Sequence, residues 1–330
     1  MNKGWTYHQY GAPAEVLHLE DLPIKPLGPG EVRVRLWAAP VHPSDGGMIQ
    51  GRYGRLMPLP AIGGREAAGE IVEVGPVVKH FKVGTPVACL PEQTGTWQQY
   101  IVAAAQDCFA LPETIDLDDA AMLSINPPTA WCLLHHFVDL KPGDWIIQNG
   151  AASCVGQCVI QLAHLKGIRT INVVRSLHIQ AYLKALGADR VVEEGSEDHA
   201  IIKQMTQGRP IRLAFNSVGG PSAIALMRTL ADSGTLVTFG GASVQPVRFP
   251  TRALIFNDIR CVGFWWDRYR RCLSVEAKEA LYQELCDLIV HQQLKLAIEK
   301  SYPLQQAIDA IGHASQGGRQ GKILITAHSL

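Results

Sequence analysis

A chain of 330 residues that is 47% hydrophobic and 18% charged has enough apolar content for two cores and too little charge to remain unfolded. Thirty Lys and Arg against thirty Asp and Glu exclude a protein that works by neutralising nucleic acid, since the single basic run, Arg268, Arg270 and Arg271, is too short for a phosphate stripe. No apolar run approaches the ~20 residues that crossing a bilayer requires, and the eight scattered cysteines read as buried thiols of a reducing compartment, not as a disulfide framework.

The start, Met1-Asn2-Lys3-Gly4-Trp5, moves directly into alternating apolar residues without the pattern of a signal or transit segment, and this places the chain in the cytoplasm. From Met1 to about Ala121 the apolar segments are short, as in Val32 to Leu36, Ala68 to Val74, Pro86 to Leu90 and Tyr100 to Ala103, and Gly and Pro break them. That rhythm predicts a compact β-barrel-like domain over residues 1–121. Its longest loop-like stretch, Asp45 to Gly64, is rich in Gly, Pro and Arg, and loops of that length in compact domains are often functional.

Over residues 122–264 the pattern becomes strand and helix in turn. Trp145 to Asn149, Thr170 to Val174, Leu213 to Ser217 and Thr235 to Phe239 read as strands, and Val155 to Lys166, Leu177 to Leu186 and Ala223 to Leu230 as helices. Such alternation needs crossover connections and therefore a parallel sheet covered by helices. Residues 265–330 hold an amphipathic helix, Glu276 to His291, and a last strand, Lys322 to Thr326. They are too few for a third domain and are expected to return to the first.

The first strand of the alternating region runs into Gly150-Ala151-Ala152-Ser153-Cys154-Val155-Gly156 and then into an apolar helix. Small side chains there let backbone N–H groups approach a dinucleotide pyrophosphate, and the helix start supplies favourable partial charge. Alone, the string fits a merely tight turn equally well, because small residues stand where two glycines of the usual fingerprint would be. The next strand ends on Arg175, where an acidic residue would bind the ribose of NAD; an arginine suits a 2′-phosphate, so NADPH is the cofactor expected. Arg175 also reads as a solvated strand-end cation. Val218-Gly219-Gly220 and Phe239-Gly240-Gly241 end further strands, either as ligand-approach points or as simple turns. No Cys-x-x-Cys spacing occurs, and Cys154 and Cys158 have no histidine beside them, so no metal is expected.

The order of these parts, with Gly63-Gly64-Arg65-Glu66 through Val74-Gly75, Asn126-Pro127-Pro128-Thr129-Ala130, the small-residue turn and Gly321-Lys322-Ile323, resembles the medium-chain dehydrogenase/reductase superfamily over essentially the whole chain. Met48-Ile49-Gln50-Gly51-Arg52-Tyr53-Gly54, Asn172-Val173-Val174-Arg175 and Gly263-Phe264-Trp265 are most similar to its mitochondrial-type trans-2-enoyl-thioester reductases, enzymes of fatty-acid metabolism. The resemblance implies a GroES-like β-rich catalytic domain joined to a Rossmann doubly wound sheet, in a homodimer. The superfamily's zinc enzymes carry a cysteine and a histidine where this chain has His42 and Arg65, and a guanidinium cannot ligate a cation.

By the same resemblance Tyr53 is the proton-donating tyrosine, and Asn126, Ser153, Cys154, Val155, Arg175 and Ser176 contact the cofactor. Phe239, Gly240, Gly241, Phe264, Trp265 and Trp266 lie along the nicotinamide, and Lys322 is a late cofactor contact. Ser176 stands where the family has a second arginine, which weakens the expected preference for NADPH. The implied reaction adds hydride to the β-carbon of an acyl thioester's conjugated double bond, with Tyr53 handling the enolate. Two rivals follow from the same fold: reduction of quinones or simple enones, with Tyr53 dispensable, and a non-enzymatic cofactor-binding scaffold of the crystallin kind.

Overall fold

The strand Glu31–Pro40 organises the first half of the molecule because its side chains alternate so that one face can be buried throughout. In the computed structural model, which describes residues 1–196 and 198–327, this strand pairs antiparallel with Ala67–Val74, with Tyr100–Ala104 and, at its far end, with Lys322–Thr326. The last of these is buried at all five positions. Removing Ile323, Leu324 and Ile325 from water stabilises by about 1.5–3 kcal/mol each, which is the physical reason the tail returns. Pro86–Cys89, Cys108–Ala110 and Ile298–Pro303 complete a seven-stranded sheet. Beside it, Leu17–Leu22, Asn2–Tyr7 and Ala61–Ile62 form a smaller antiparallel sheet.

The loop expected over Asp45 to Gly64 is partly regular. A seven-residue helix, Pro43–Ile49, opens it and the strand Ala61–Ile62 closes it. Two glycines inside so short a helix disfavour it locally. Its start offsets that: Pro43 takes the first helical position, and Asp45 Oδ2 accepts a 2.6 Å hydrogen bond from the His42 amide.

The alternating region forms one six-stranded, wholly parallel sheet. Its strands lie in the order Arg190–Glu193, Arg169–Val174, Trp145–Gln148, Ile211–Asn216, Thr235–Thr238 and Arg260–Gly263. Numbered along the chain this is 3-2-1-4-5-6, the doubly wound order that reverses direction beside its first strand, a topology that opens a crevice at the carboxyl end of that strand, here Trp145–Gln148. The described residues divide into two compact units, Met1–Ile125 with the segment from Val275 onward, and Asn126–Ser274. Among them no helix is long and apolar enough to cross a membrane.

Candidate active site

Polar side chains that are far apart in sequence meet inside the first unit. Gly63 and Gly64 begin the arrangement: a Cβ on Gly63 would lie 2.4 Å from the ring of the fully buried Trp97, and Gly64, with φ of +86°, has Thr96 and Trp97 2.5 Å from the same position. Only glycines let the chain press onto that indole, and the pressed chain then presents Arg65 and Glu66 inward, both buried. Glu66 Oε1 lies 2.7 Å from His42 Nε2, and the buried Lys322 ammonium lies 2.8 Å from His42 Nδ1 and 3.2 Å from the Val41 carbonyl.

An ammonium can only donate, so Nδ1 accepts from Lys322 and the Nε2 proton goes to Glu66. Burial, then the charges of Lys322 and Arg65, hold His42 well below the usual imidazole range, which keeps it neutral and fixes that tautomer. With both ring nitrogens engaged, His42 has no lone pair left for a cation. Among the described residues no group of three His, Cys, Asp and Glu side chains is placed to hold a metal ion.

Tyr53 lies on the edge of this cluster. The helix Pro43–Ile49 ends in a turn at Gly51, and the Arg52 amide bonds back to the Gly47 carbonyl at 2.8 Å, which folds Tyr53 over the helix with its Cβ 3.7 Å from the Cβ position of Gly47. Its hydroxyl accepts a 3.0 Å hydrogen bond from Arg65 Nη1, and the guanidinium carbon sits 5.2 Å from the ring centroid. Asp45 is wholly buried between these groups. Burial pushes its carboxyl up to about 6, against the lowering effect of the His42 amide and of the Arg65 and Lys322 charges. The sequence assigns a chemical role in this cluster to Tyr53 and Lys322, and names His42 and Arg65 only as standing where zinc ligands would be. No local string announces contacts between residues 280 apart, such as His42 with Lys322.

In the second unit the small-residue turn follows Trp145–Gln148. Ser153 caps the helix Cys154–Leu165, its hydroxyl accepting from the Gly156 amide at 3.2 Å, so the first-turn amides of Cys154 and Val155 point off the sheet's carboxyl end. Gly156 is obligatory: a Cβ would lie 2.6–2.8 Å from the backbone of Ala151. Arg175 and Ser176 follow the strand Arg169–Val174 and are exposed at its end. Asn126, which begins the helix Asn126–His135, is buried, and its Nδ2 has no protein partner among the described residues. A buried amide donor without an acceptor is costly, and it fits a ligand acceptor such as the nicotinamide end of a dinucleotide.

Phe239 and Gly240 continue from Thr235–Thr238, where a Cβ on Gly240 would lie 2.9 Å from the Ser217 carbonyl; Gly241 is exposed with open space around it. Phe264 is buried, its amide bonded to the Thr238 carbonyl at 2.9 Å. Trp265 is half-buried beneath Arg271, and Trp266 is buried and packs near Tyr269. Lys322 belongs to the first unit, and its ammonium donates to His42 and to the Val41 carbonyl.

Sequence reasoning missed a lattice of amides below the crest of the parallel sheet. Asn149 Nδ2 donates to Asn216 Oδ1 at 2.9 Å and to Ser222 Oγ at 3.0 Å, and Asn216 Nδ2 donates to Thr238 Oγ1 at 3.1 Å. These bonds tie together the ends of three strands whose following turns carry the glycines. The signal is a polar residue where an apolar strand ends: Asn149 just past Trp145–Gln148 and Asn216 at the end of Ile211–Asn216.

Residues 28–113 match the alcohol dehydrogenase GroES-like domain family, and residues 154–282 match the zinc-binding dehydrogenase family. The chain is 40% identical over 326 residues to the mitochondrial enoyl-[acyl-carrier-protein] reductase of Bos taurus, covering 97% of this chain and 87% of that protein. It superposes on Etr1p, a mitochondrial 2-enoyl thioester reductase from Candida tropicalis solved with NADP and crotonyl-CoA, with a TM-score of 0.89 at 30% identity over 98% of this chain and 99% of that one. The Escherichia coli quinone oxidoreductase complexed with NADPH gives a TM-score of 0.90 at 25% identity over 98% and 99%.

The relatives correct one expectation. A cytoplasmic location was read from the first residues, whereas the relatives at about 40% identity are mitochondrial enzymes. A targeting segment is a removable address outside the folded body, so its apparent lack says nothing about compartment.

Proposed function

The chain belongs to the medium-chain dehydrogenase/reductase superfamily, among its enoyl thioester reductases, and on that premise we propose that it reduces the conjugated double bond of a trans-2-enoyl thioester with NADPH. When bound, NADPH supplies the hydride that goes to the β-carbon. The amides of Cys154 and Val155 would hold its pyrophosphate, Arg175 and Ser176 would face the 2′-phosphate, and the Asn126 amide donor would find an acceptor at the nicotinamide end. Phe239, Gly240, Phe264 and Trp265 border that end.

The remaining chemistry falls to Tyr53. Addition at the β-carbon leaves negative charge on the thioester oxygen and α-carbon, and both need a neutral donor that is protonated at neutral pH. A phenol meets that requirement. The observation that carries the assignment is the Tyr53 hydroxyl held by a hydrogen bond from the buried Arg65 guanidinium. The test is steady-state turnover of crotonyl-CoA and longer enoyl-CoAs beside 1,4-benzoquinone, for the wild type and Tyr53→Phe. Enoyl-CoA reduction that collapses in the variant supports the reading, and enoyl-CoA reduction unaffected by the loss of the hydroxyl rejects Tyr53.

The likeness to a quinone oxidoreductase favours quinone or enone reduction as the second reading. Two copies of the chain pair in this proposal along Arg260–Gly263, the outermost strand of the parallel sheet. Val262 on it is exposed, as are Ile255 and Phe256 on the preceding helix, an apolar edge suited to a second copy.

A further inference from the structure

We propose that Arg65 is a positioning residue for the proton transfer: it fixes the direction in which Tyr53 offers its proton and holds the phenolic oxygen's charge once the proton has left. The inference rests on the enoyl-thioester reading above. Arg65 is buried, its backbone is set by the Gly63-Gly64 passage over Trp97, and its Nη1 reaches the Tyr53 hydroxyl at 3.0 Å and Ser44 Oγ at 3.5 Å.

A guanidinium has five N–H donors and no acceptor, so in this contact the phenolic oxygen can only accept. Its single proton is therefore turned away from Arg65, toward whatever acceptor lies on the phenol's other side. A hydroxyl that accepted from a neutral amide would gain the same direction without the charge. One whose neighbour was a carboxylate would spend its proton there. The guanidinium supplies both effects at once, and the ring sits beneath it, with its centroid 5.2 Å from the guanidinium carbon.

The step balances as follows. A C–H bond forms at the substrate α-carbon from the electron pair of the enolate, and the Tyr53 O–H bond breaks with its pair left on the phenolic oxygen. Arg65 stands hydrogen-bonded to that oxygen throughout, and water restores the proton before the next turnover. A substituent without charge or donors removes the hydrogen bond that directs the phenol and the positive charge beside its oxyanion. That deficiency appears in the chemical step and not in substrate binding.

The experiment is a double-mutant cycle on crotonyl-CoA reduction, using the wild type, Arg65→Met, Tyr53→Phe and the pair, with Arg65→Lys added and thermal unfolding of each variant as the control for folding. We expect Arg65→Met to lower kcat about 10- to 100-fold with KM changed by less than about threefold, and Arg65→Lys to recover much of the loss. In the Tyr53→Phe background the same Met substitution should change kcat by less than about twofold. Equal losses in both backgrounds, or an unchanged kcat in Arg65→Met, would overturn the proposal. A wild type that ignores crotonyl-CoA and reduces quinones sinks the substrate reading instead. The cycle is then run on the quinone, where full turnover by Tyr53→Phe overturns the Arg65 proposal as well.

Discussion

The turn at residues 150–156 and the cluster around Tyr53 are two parts of one proposed catalyst built by opposite means. The turn works through backbone: amides at a helix start, and a glycine at 156 that lets two stretches of chain touch. The cluster works through side chains brought together from residues 42, 45, 53, 65, 66 and 322. A site made of backbone has to be encoded by a local string, because only consecutive small residues produce it. A site made of side chains can draw each member from a different element, and its string carries no period.

The two regions therefore differ in how much of each was legible. The parallel sheet and the small-residue turn after its first strand follow from alternation, and the role proposed for Arg175 rests on its place at a strand end. Tyr53 is assigned through resemblance, inside a stretch whose spacing says only loop. The helix Pro43–Ile49 was missed because Gly46 and Gly47 erase its periodicity, while the proline and the Asp45 cap that create it act at a single turn. Lys322 was read as a cofactor contact. The structure pairs its ammonium with His42, a contact no local string announces, because it exists only once the last strand has docked antiparallel on Glu31–Pro40.

The largest effect that would sharpen the contrast is loss of the phenol. Tyr53→Phe removes one oxygen from the side-chain site and none of the backbone site, so kcat for enoyl-CoA should fall by about 10²–10⁴ while NADPH binding, followed by fluorescence titration, stays within about threefold of the wild type. A matched loss of NADPH affinity would break the separation of the two regions.

Next in size is the reverse change. Gly156→Val places a side chain against the Ala151 backbone, 2.6–2.8 Å from the added Cβ, where nothing flexible can yield. Overpacking of this kind costs about 1–3 kcal/mol, and the displaced helix start should reduce NADPH affinity by at least about tenfold. Calorimetric unfolding and NADPH titration of the variant measure both, and wild-type affinity would show that the turn tolerates what the geometry forbids. Arg175→Ala should act more narrowly. It should raise the KM for NADPH by about tenfold, the worth of one exposed phosphate contact, and leave the KM for NADH nearly unchanged. Equal changes for the two cofactors would return Arg175 to an ordinary surface cation.

The smallest effect tests the charge balance that makes the side-chain site unlike the turn. Asp45 has its carboxyl raised from the ordinary 3.8 to about 6 by burial, so the folded protein holds this proton more firmly than the unfolded chain does. Between those two values the folded state carries more protons, and stability from this group, complete below about 3.8, is lost as pH rises through about 6. Two units at 1.36 kcal/mol each set an upper limit of about 3 kcal/mol. Asp45→Asn keeps an oxygen to accept from the His42 amide but cannot ionise. His42, neutral in the fold and costing stability as pH falls below the usual imidazole value, is present in both proteins and largely cancels in the comparison. The asparagine variant should therefore gain on the wild type as pH rises from 4.5 to 7.5, by less than the limit because Arg65 and Lys322 lose a counter-charge. Thermal unfolding of both proteins across that range reads the gap directly. A gap that runs the other way would mean that Asp45 is ionised throughout, its pairing with the two cations outweighing its burial.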